Sequence, residues 1–322
     1  MIVSKMKPPY TITPDILRAV TSVSAKIGEI NARYLTRQSP TLRKQNQIKT
    51  IHSSLKIEGN TLSEEQITAI LEHKRVIGPK KDILEVKNAI AVYDKLRDFD
   101  YGSEKSFLAA HELLMQNLVQ SAGKYRSGSV GIVKGSKVAH VAPPSTNVPS
   151  LMRSLFQYLK DKKELSLIKS CVFHYEMEFI HPFMDGNGRM GRLWQTVILM
   201  PEYPVFEFLP FESLISKNQT AYYKALAQSD REGKSTRFIE YMLAIIDRSL
   251  DELLIQASGK LSDEERMALF LEETGGTFTR KDYMNRFKEL SPATASRDLK
   301  KAVEKKWIKK YGDKKTTIYR KR

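Results

Sequence analysis

Residues 181–192 read HPFMDGNGRMGR, and they place a base, a carboxylate, a glycine-flanked turn and two arginines in one short segment. Glycines on both sides of Asn187 allow successive backbone N–H groups to point at one spot, and a following helix adds the positive end of its dipole. Arg189 and Arg192 are three residues apart, so on a helix they share one side and can donate to phosphate oxygens. The segment is therefore predicted to bind phosphate groups.

Two further residues of this segment carry chemistry. His181 is the only side chain in it that can accept a proton near neutral pH. Asp185 supplies a hard oxygen ligand, which suits Mg²⁺ carried in with a nucleotide. Two histidines outside the segment are interpreted differently: His174 is expected to support the core, and His111 to lie in the core or to support the site.

The stretch resembles the signature of the Fic domain family, HPFx[D/E]GNGRxxR, and it matches at every fixed position. The resemblance implies a mainly α-helical core with a small β-hairpin flap. It also implies transfer of AMP from ATP to a Ser, Thr or Tyr hydroxyl of a target protein, including the chain itself, with His181 as general base and Mg²⁺ on Asp185. The residues that it implies for nucleotide binding are Gly186, Asn187, Gly188, Arg189, Gly191 and Arg192, with Tyr222 and Tyr223 as further candidates.

A second motif precedes this one. Residues 54–59 read SLKIEG, within a helix predicted at about 41–59, and they resemble the inhibitory motif [S/T]xxxE[G/N] of many Fic proteins. In that motif Ser54 and Glu58 are the defining residues, and the resemblance implies that Glu58 reaches Arg192 and fills the space of the ATP γ-phosphate. A carboxylate paired with an inward-facing arginine satisfies both charges when no nucleotide is bound. Autoinhibition is the resulting hypothesis.

Residues 129–141 differ in character from the helical segments around them. Two β-prone runs flank residues 134–136, which predicts a hairpin. An isolated hairpin seldom has a core of its own, so another reason for it is needed. The family resemblance implies a flap that holds an extended target segment by strand addition. The residues assigned to this flap are Val130, Gly131, Ile132 and Val133.

The C-terminal residues 262–322 read as three capped helices followed by two strand-like runs, an order that resembles a winged helix-turn-helix. Within 291–322, twelve Lys and Arg residues stand against three acids, which accounts for +9 of the formal net charge of +16. Such a concentration favours a polyanionic partner. DNA contact is predicted for Arg297, Lys300 and Lys301 on the outward side of the third helix, and protein docking is the alternative.

The 322 residues are enough for two or three domains. The predicted division is an N-terminal helical segment at 1–39, a Fic domain at 40–255 and a winged-helix domain at 262–322, with a linker at 256–261. No apolar run is long enough to span a bilayer and the N-terminus lacks an apolar signal core, which predicts a cytoplasmic protein without a membrane partner. The expected partners are a target protein with an exposed hydroxyl, and DNA and a second copy in a homodimer are further candidates.

Three alternative functions stay open at this point. Glu58 could orient a water molecule that removes AMP from a modified protein, which is the reverse outcome. A phosphate-linked donor other than ATP is the second alternative, although an intact GNGR run without a lysine favours ATP. The third is a DNA-binding transcriptional regulator in which the Fic core senses a nucleotide.

Overall fold

The computed structural model describes residues 7–33, 40–129, 131–134, 137–258, 262–288, 290–313 and 317–321. The chain forms two compact units. The first contains the described residues of Met1–Asn31 and Asn46–Leu254, and the second contains those of Ala32–Gln45 and Ile255–Arg322. Most described residues are helical, which confirms the predicted mainly α class.

Helices and one hairpin make up the chain through residue 258. Among the described helices, none combines the length and the apolar character that crossing a membrane requires. The helices are α1 (Pro14–Arg33), α2 (Pro40–Ile57), α3 (Glu64–Leu71), α4 (Lys80–Tyr93), α5 (Glu104–Leu114), α6 (Val148–Leu159), α7 (Ser166–Ile180), α8 (Asn187–Leu199), α9 (Glu212–Lys217), α10 (Gln219–Glu232) and α11 (Thr236–Ser258).

Helices α7 and α8 form the centre of the first unit. They pack against each other along their length, and nearly all their side chains are buried. A helix that is buried on all sides needs neighbours on all sides, and α5 and α6 supply part of that cover through Phe107 and Phe156. The short loop 181–186 between α7 and α8 is therefore held between two rigid helices.

Helix α1 packs on the same core as the rest of the first unit. Ile16, Val23 and Ile30 are fully buried. Polar contacts add to this packing, since Thr13 Oγ1 donates to Glu240 Oε1 at 2.7 Å and Lys26 Nζ lies 2.7 Å from an Asp251 oxygen. The described residues up to 31 thus belong to the first unit. The N-terminal helical segment at 1–39 stays a prediction.

Helix α2 ends two residues before a glycine. Gly59 has φ +91°, a left-handed backbone conformation that is common just past a helix end, and its N–H donates to Lys56 O. The next helix, α3, begins with the predicted capping box: the Ser63 side chain accepts from the Gln66 N–H and the Gln66 side chain from the Ser63 N–H. This sharp turn fixes where the last turn of α2 points.

The predicted hairpin is present as β1 (Gly131–Lys134) and β2 (Lys137–Val141), an antiparallel pair. Gly131 is opposite Val141, and the register shifts between Ile132 and Val133. Val130 and the turn residues 135–136 lie outside the described residues. The target-docking role of this hairpin stays a prediction.

In the second unit, three helices are followed by two strands in the predicted order. The sequence analysis missed a further strand of two residues, which pairs with the last strand of the unit. The three strands form an antiparallel sheet in the order β3-β5-β4. The assignment of this unit as a winged helix stays a prediction. Its elements are α12 (Asp263–Glu273), β3 (Thr277–Phe278), α13 (Arg280–Arg286), α14 (Pro292–Glu304), β4 (Ile308–Tyr311) and β5 (Ile318–Lys321).

Helix α14 faces the core of its unit as its spacing predicts. Ala295, Leu299 and Ala302 are buried, and Ser291 caps the helix by accepting from the Thr294 N–H. A buried carboxylate, Asp298, accepts from Arg266 Nε at 2.8 Å and from the Tyr283 hydroxyl at 3.0 Å. Helix α11 continues to Ser258, through the first half of the predicted linker at 256–261. Residues 259–261 lie outside the described residues, and the linker stays a prediction.

Candidate active site

The loop between α7 and α8 has a backbone that only a few residue types accept. His181 closes α7 in the left-handed conformation, with φ 50° and ψ 60°, and its N–H donates to Met177 O at 2.9 Å. Gly186 precedes α8 with φ 85°, and a β-carbon there would lie 2.8 Å from Met115 Sδ. Glycine is therefore required at 186 by both conformation and space.

Asn187 locks this loop on itself. Its Oδ1 accepts from the Phe183 N–H and its Nδ2 donates to the Phe183 carbonyl, both at 2.9 Å. The side chain thereby satisfies the backbone of a buried residue while leaving its own N–H at the first position of α8. Among the residues implied for nucleotide binding, Asn187 thus shapes the turn with its side chain, and only its backbone is left to face an anion.

His111 supports the loop from α5. Gly123 N–H donates to His111 Nδ1 at 2.9 Å, so the ring proton is on Nε2, which lies 3.0 Å from the Asp185 carbonyl. The ring also stacks on Phe183, with centroids 3.5 Å apart. Burial lowers the pKa of His111 to about 4. Of the two interpretations left open by the sequence, support of the site is the one that these contacts bear out.

Arg192 is fully buried and is held by the last turns of α2. Its Nη2 donates to Glu58 Oε1 at 2.7 Å and to the Ser54 carbonyl at 2.9 Å, and its Nε donates to Ser54 Oγ at 3.1 Å. Burial lowers the pKa of Arg192, but the attraction of Glu58 more than offsets it, so the net pKa shift is upward. The ion pair that the sequence analysis expected between Glu58 and Arg192 is therefore present.

The Glu58 carboxylate lies against the backbone of the motif turn. A β-carbon placed on Gly188 would be 2.5 Å from Glu58 Oε1 and 3.1 Å from Arg192 Nη1. Within the part of the chain that the structure describes, Arg192 Nη1 has no hydrogen-bond partner although it is buried. A bare backbone at a helix start and an unused guanidinium N–H together fit an anionic group such as a phosphate.

Arg189 connects two carboxylates. Its Nη2 lies 3.0 Å from Asp185 Oδ1, and its Nη1 lies 3.1 Å from Oε1 of Glu85, a buried residue of α4. The other oxygen of Glu85 accepts from Asn60 Nδ2 at 2.8 Å. Because Asn60 follows Glu58 by two residues, the end of the 54–60 segment and the first motif arginine share one hydrogen-bonded chain.

Asp185 is the residue implied for Mg²⁺. Its side chain is 48% exposed, and its Oδ1 is used by Arg189 and by the Gly186 N–H. Among the described residues no group of three His, Cys, Asp or Glu side chains could hold a metal alone. One accessible carboxylate fits a Mg²⁺ ion that keeps most of its ligands from phosphate and water.

His174 is part of the core behind the motif, as the sequence predicts. Its Nδ1 lies 2.7 Å from Gln195 Oε1 and its Nε2 lies 3.0 Å from the Tyr222 hydroxyl. Burial lowers the pKa of His174 to about 3, so the ring does not serve as a second base near neutral pH. Tyr222 is 1% exposed and belongs to this buried group, whereas Tyr223 is 36% exposed. Of the two tyrosines, only Tyr223 has a side chain available to a ligand.

Comparison with known proteins agrees with this geometry. The sequence model of the Fic/DOC family matches residues 101–199, which run from just before α5 to the end of α8. A solved structure of a Fic family protein from Desulfovibrio desulfuricans G20 is similar to this chain, with 41% sequence identity and a TM-score of 0.77. The match covers 98% of this chain and 98% of that protein. The chain belongs to the Fic family.

Curated relatives extend the comparison to named proteins. "Protein adenylyltransferase Fic" of Nematostella vectensis is 28% identical over 221 residues, which is 63% of this Fic chain and 48% of the relative. "Protein adenylyltransferase fic-1" of Caenorhabditis elegans is 28% identical over 239 residues, with 67% and 45% covered. The Fic chain therefore spans about half the length of the curated relatives it matches.

The sequence analysis of this Fic chain missed the residues that support the site from a distance. Glu85 is buried beside Arg189, and Arg126 is buried beside His181. A signal for Glu85 was available, because Glu85 and Asn88 are polar residues on the otherwise apolar, buried side of α4. Arg126 lies in a loop without periodicity, so no comparable pattern marks it.

Proposed function

We propose that the chain is a protein adenylyltransferase that transfers AMP from ATP to a Ser, Thr or Tyr hydroxyl of a protein, and that Glu58 inhibits it. One observation carries this proposal: Glu58 of α2 lies 2.7 Å from Arg192 Nη2 and against Gly188 at the start of α8, in the motif that begins with His181 at the end of α7. The family match and the adenylyltransferase names of the relatives support the same class of reaction.

In the proposed reaction, the oxygen of the target hydroxyl attacks the α-phosphorus of ATP, and the bond from that phosphorus to the pyrophosphate oxygen breaks. His181 accepts the hydroxyl proton, so the new bond is a phosphodiester between AMP and the protein. The N–H groups of the 186–188 turn bind phosphate oxygens and Arg192 stabilises the negative charge that moves to pyrophosphate. Holding the reactants in line supplies much of the remaining acceleration.

Mg²⁺ would be held by Asp185 and would neutralise phosphate charge when bound. Arg189 contacts the same carboxylate, at 3.0 Å from Oδ1. Because Glu85 accepts from the other side of the Arg189 guanidinium, that guanidinium keeps the Asp185 carboxylate facing the turn. These contacts prepare the carboxylate position before nucleotide arrives.

The test is labelling of protein by ATP that carries radioactive phosphorus at the α position. The Glu58→Gly chain should become labelled, and adding His181→Ala should lower labelling about a hundredfold to ten-thousandfold. ATP labelled at the γ position is the control and should leave no label. Equal labelling with and without His181, or label from the γ position, would overturn the proposal.

The reverse reaction can be tested with the same protein. Chain modified by the Glu58→Gly form is purified, and the wild-type chain is added without ATP. Release of AMP that depends on Glu58 would assign the removal reaction to this residue. Release by neither form leaves transfer as the direction that the site supports.

The second unit has one observation in favour of DNA contact. Lys309 of β4 and Arg320 of β5 are directly opposite each other in the sheet, and both are exposed. Like charges in that arrangement destabilise a sheet unless an anion lies over them. Arg297, Lys300 and Lys301 are exposed too, and two of them have ion-pair partners: Lys301 pairs with Asp263 at 2.6 Å and Lys300 with Glu304 at 3.9 Å.

We propose double-stranded DNA as the polyanion, and the test is binding of the full chain to a mixed-sequence duplex at several salt concentrations. Affinity should fall steeply with salt, and Lys309→Ala with Arg320→Ala should reduce that slope by about two. Lys288→Ala, at an exposed lysine of the same unit, is the control. Unchanged binding by the double variant would contradict the DNA proposal. Homodimerisation, the other expected partner interaction, stays a prediction.

A further inference from the structure

Arg126 is a buried arginine that contacts the loop carrying the proposed base. The residue is 3% exposed, in the segment that leads from α5 to the hairpin. Its Nε donates to the His181 carbonyl at 2.7 Å, its Nη2 to the Ile180 carbonyl at 3.3 Å, and its backbone N–H to the Pro182 carbonyl at 2.9 Å. Three consecutive carbonyls around the base are thus bound by one residue.

The Ile180 carbonyl is one that a helix end leaves without a partner, and those of His181 and Pro182 follow it in the loop. Helix α7 ends at Ile180, and the last carbonyls of a helix have no N–H within the helix to accept from. A cation near a helix C-terminus is also favoured by the helix dipole. Arg126 satisfies both requirements, at a cost, because burial lowers the pKa of its guanidinium.

The other side of the same guanidinium holds both ends of the hairpin. Nη1 donates to the Gly128 carbonyl at 2.9 Å and Nη2 to the Pro143 carbonyl at 2.5 Å. Gly128 lies just before β1 and Pro143 just after β2. One more bond closes the base of the hairpin, since the Ser145 hydroxyl donates to the Ser127 carbonyl at 2.8 Å.

We propose that Arg126 is a positioning residue that fixes the base of the β1–β2 hairpin relative to the backbone of His181. This inference rests on the proposed function, in which His181 accepts the proton of a protein substrate, and on the predicted docking of that substrate to the hairpin. A strand of the substrate that pairs with the hairpin then has a fixed offset from the base. The planar guanidinium is required because its donors point in several directions at fixed angles, which a lysine ammonium on a flexible stem does not reproduce.

The test compares Arg126→Lys and Arg126→Gln in the Glu58→Gly chain. ATP affinity should stay within about twofold, because Arg126 makes no contact with residues 186–192 in the described hydrogen bonds, whereas AMP transfer to protein should fall about tenfold or more. A merely structural role would lower ATP binding and transfer together. Arg153→Lys, at an exposed arginine of α6, is the matched control and should change neither quantity.

Hydrogen exchange without nucleotide gives the second readout. Amides of the hairpin strands, of His181 and of Phe183 should exchange about tenfold faster in both Arg126 variants, while those of α2 keep their rates. Normal exchange of both segments, or a Lys variant equal to its parent in exchange and transfer, would overturn the inference. If the Glu58→Gly parent neither binds ATP nor labels protein, the proposed function fails, and the exchange rates still decide whether Arg126 positions the hairpin.

Discussion

Glu58 Oε1 lies 2.7 Å from Nη2 of Arg192. The Glu58 side chain is 29% exposed, whereas the Arg192 side chain is fully buried. The carboxylate therefore enters the site from the solvent side and meets an arginine that cannot move away. Since the same carboxylate lies against Gly188, an anion at the start of α8 would compete with the ion pair for one place. This ion pair and other contacts of the first unit lead to testable predictions.

Removing the carboxylate should activate the chain. Glu58→Gly is expected to raise AMP transfer about five- to 150-fold at saturating Mg·ATP, the range of typical coupling energies between two binding events. The measurement is the initial rate of labelling from α-labelled ATP. Lys56→Ala, at an exposed position of the same helical turn, should leave the rate unchanged. Equal rates for the Glu58 variant and the wild type would refute autoinhibition.

The hydroxyl of Ser54 should contribute less than the carboxylate. Ser54→Ala removes the acceptor for Arg192 Nε at 3.1 Å but keeps the carbonyl contact at 2.9 Å. Losing one such bond weakens the hold of α2 on Arg192, so labelling is expected to rise about three- to tenfold. Ser53→Ala, at the neighbouring buried serine, is the control. A fall in labelling would mean instead that Ser54 positions Arg192 for the nucleotide.

The buried pair of Glu85 and Arg189 should matter for folding. Glu85→Ala leaves the Arg189 charge without its buried partner and is expected to lower the free energy of unfolding by about 3 kcal/mol. The measurement is urea unfolding, followed by tryptophan fluorescence in a Trp307→Phe background so that Trp194 of the first unit reports alone. Lys81→Ala removes only an exposed group 4.0 Å from Glu85 and should cost less than about 0.5 kcal/mol. Similar losses for both variants would contradict the assignment.

Glu212 should make the first unit less stable as pH rises. Burial raises the pKa of Glu212 from the ordinary value of 4.5 to about 8, so between these two values the folded chain keeps a proton that the unfolded chain has lost. Below pH 4.5 the contribution of the Glu212 proton to the free energy of unfolding is fully present. As pH rises from 4.5 towards 8, the free energy of unfolding falls by about 1.4 kcal/mol per pH unit for this one proton. Glu212→Gln should make the slope shallower by about one proton, measured by urea unfolding at about pH 6, 7 and 8; a slope below about pH 7 remains, because burial also raises the pKa of Glu176 to about 7.

The control for this pH dependence is Glu252→Gln, at a carboxylate that is 45% exposed. It should keep the slope of the parent chain. A Glu212→Gln chain that loses stability with rising pH as steeply as its parent would show that another group titrates. Both comparisons belong in the Trp307→Phe background, so that unfolding of the first unit is followed by itself.

The part of the site that could be predicted consists of residues that lie close together in the sequence. Asp185, Arg189 and Arg192 share one turn and the helix after it, so their proximity follows from local geometry, and the helix dipole indicates what they bind. The contact of Glu58 with Arg192 spans 134 residues, and it was expected only because a second short motif accompanies the first. Spacing within the chain carries no information on such a pair.

The supporting contacts were not predictable in the same way. Glu85 meets Arg189 across 104 residues and Arg126 meets the His181 carbonyl across 55, and neither residue belongs to a motif. Strand β3 has two residues, too few for an alternating pattern to show, and it appears only when β5 pairs with it. The sequence analysis predicted that Tyr222 lies near the nucleotide, whereas in the structure tertiary packing buries it against His174.

The backbone at His181 has a consequence for how far this chain can be stabilised. A left-handed conformation costs a residue with a β-carbon about 1 kcal/mol or more, and glycine avoids that cost. His181→Gly should therefore leave the chain as stable as the His181→Ala form or more stable, and inactive. Selection for folding alone would not keep an imidazole here, so stability and turnover pull in opposite directions at this single residue.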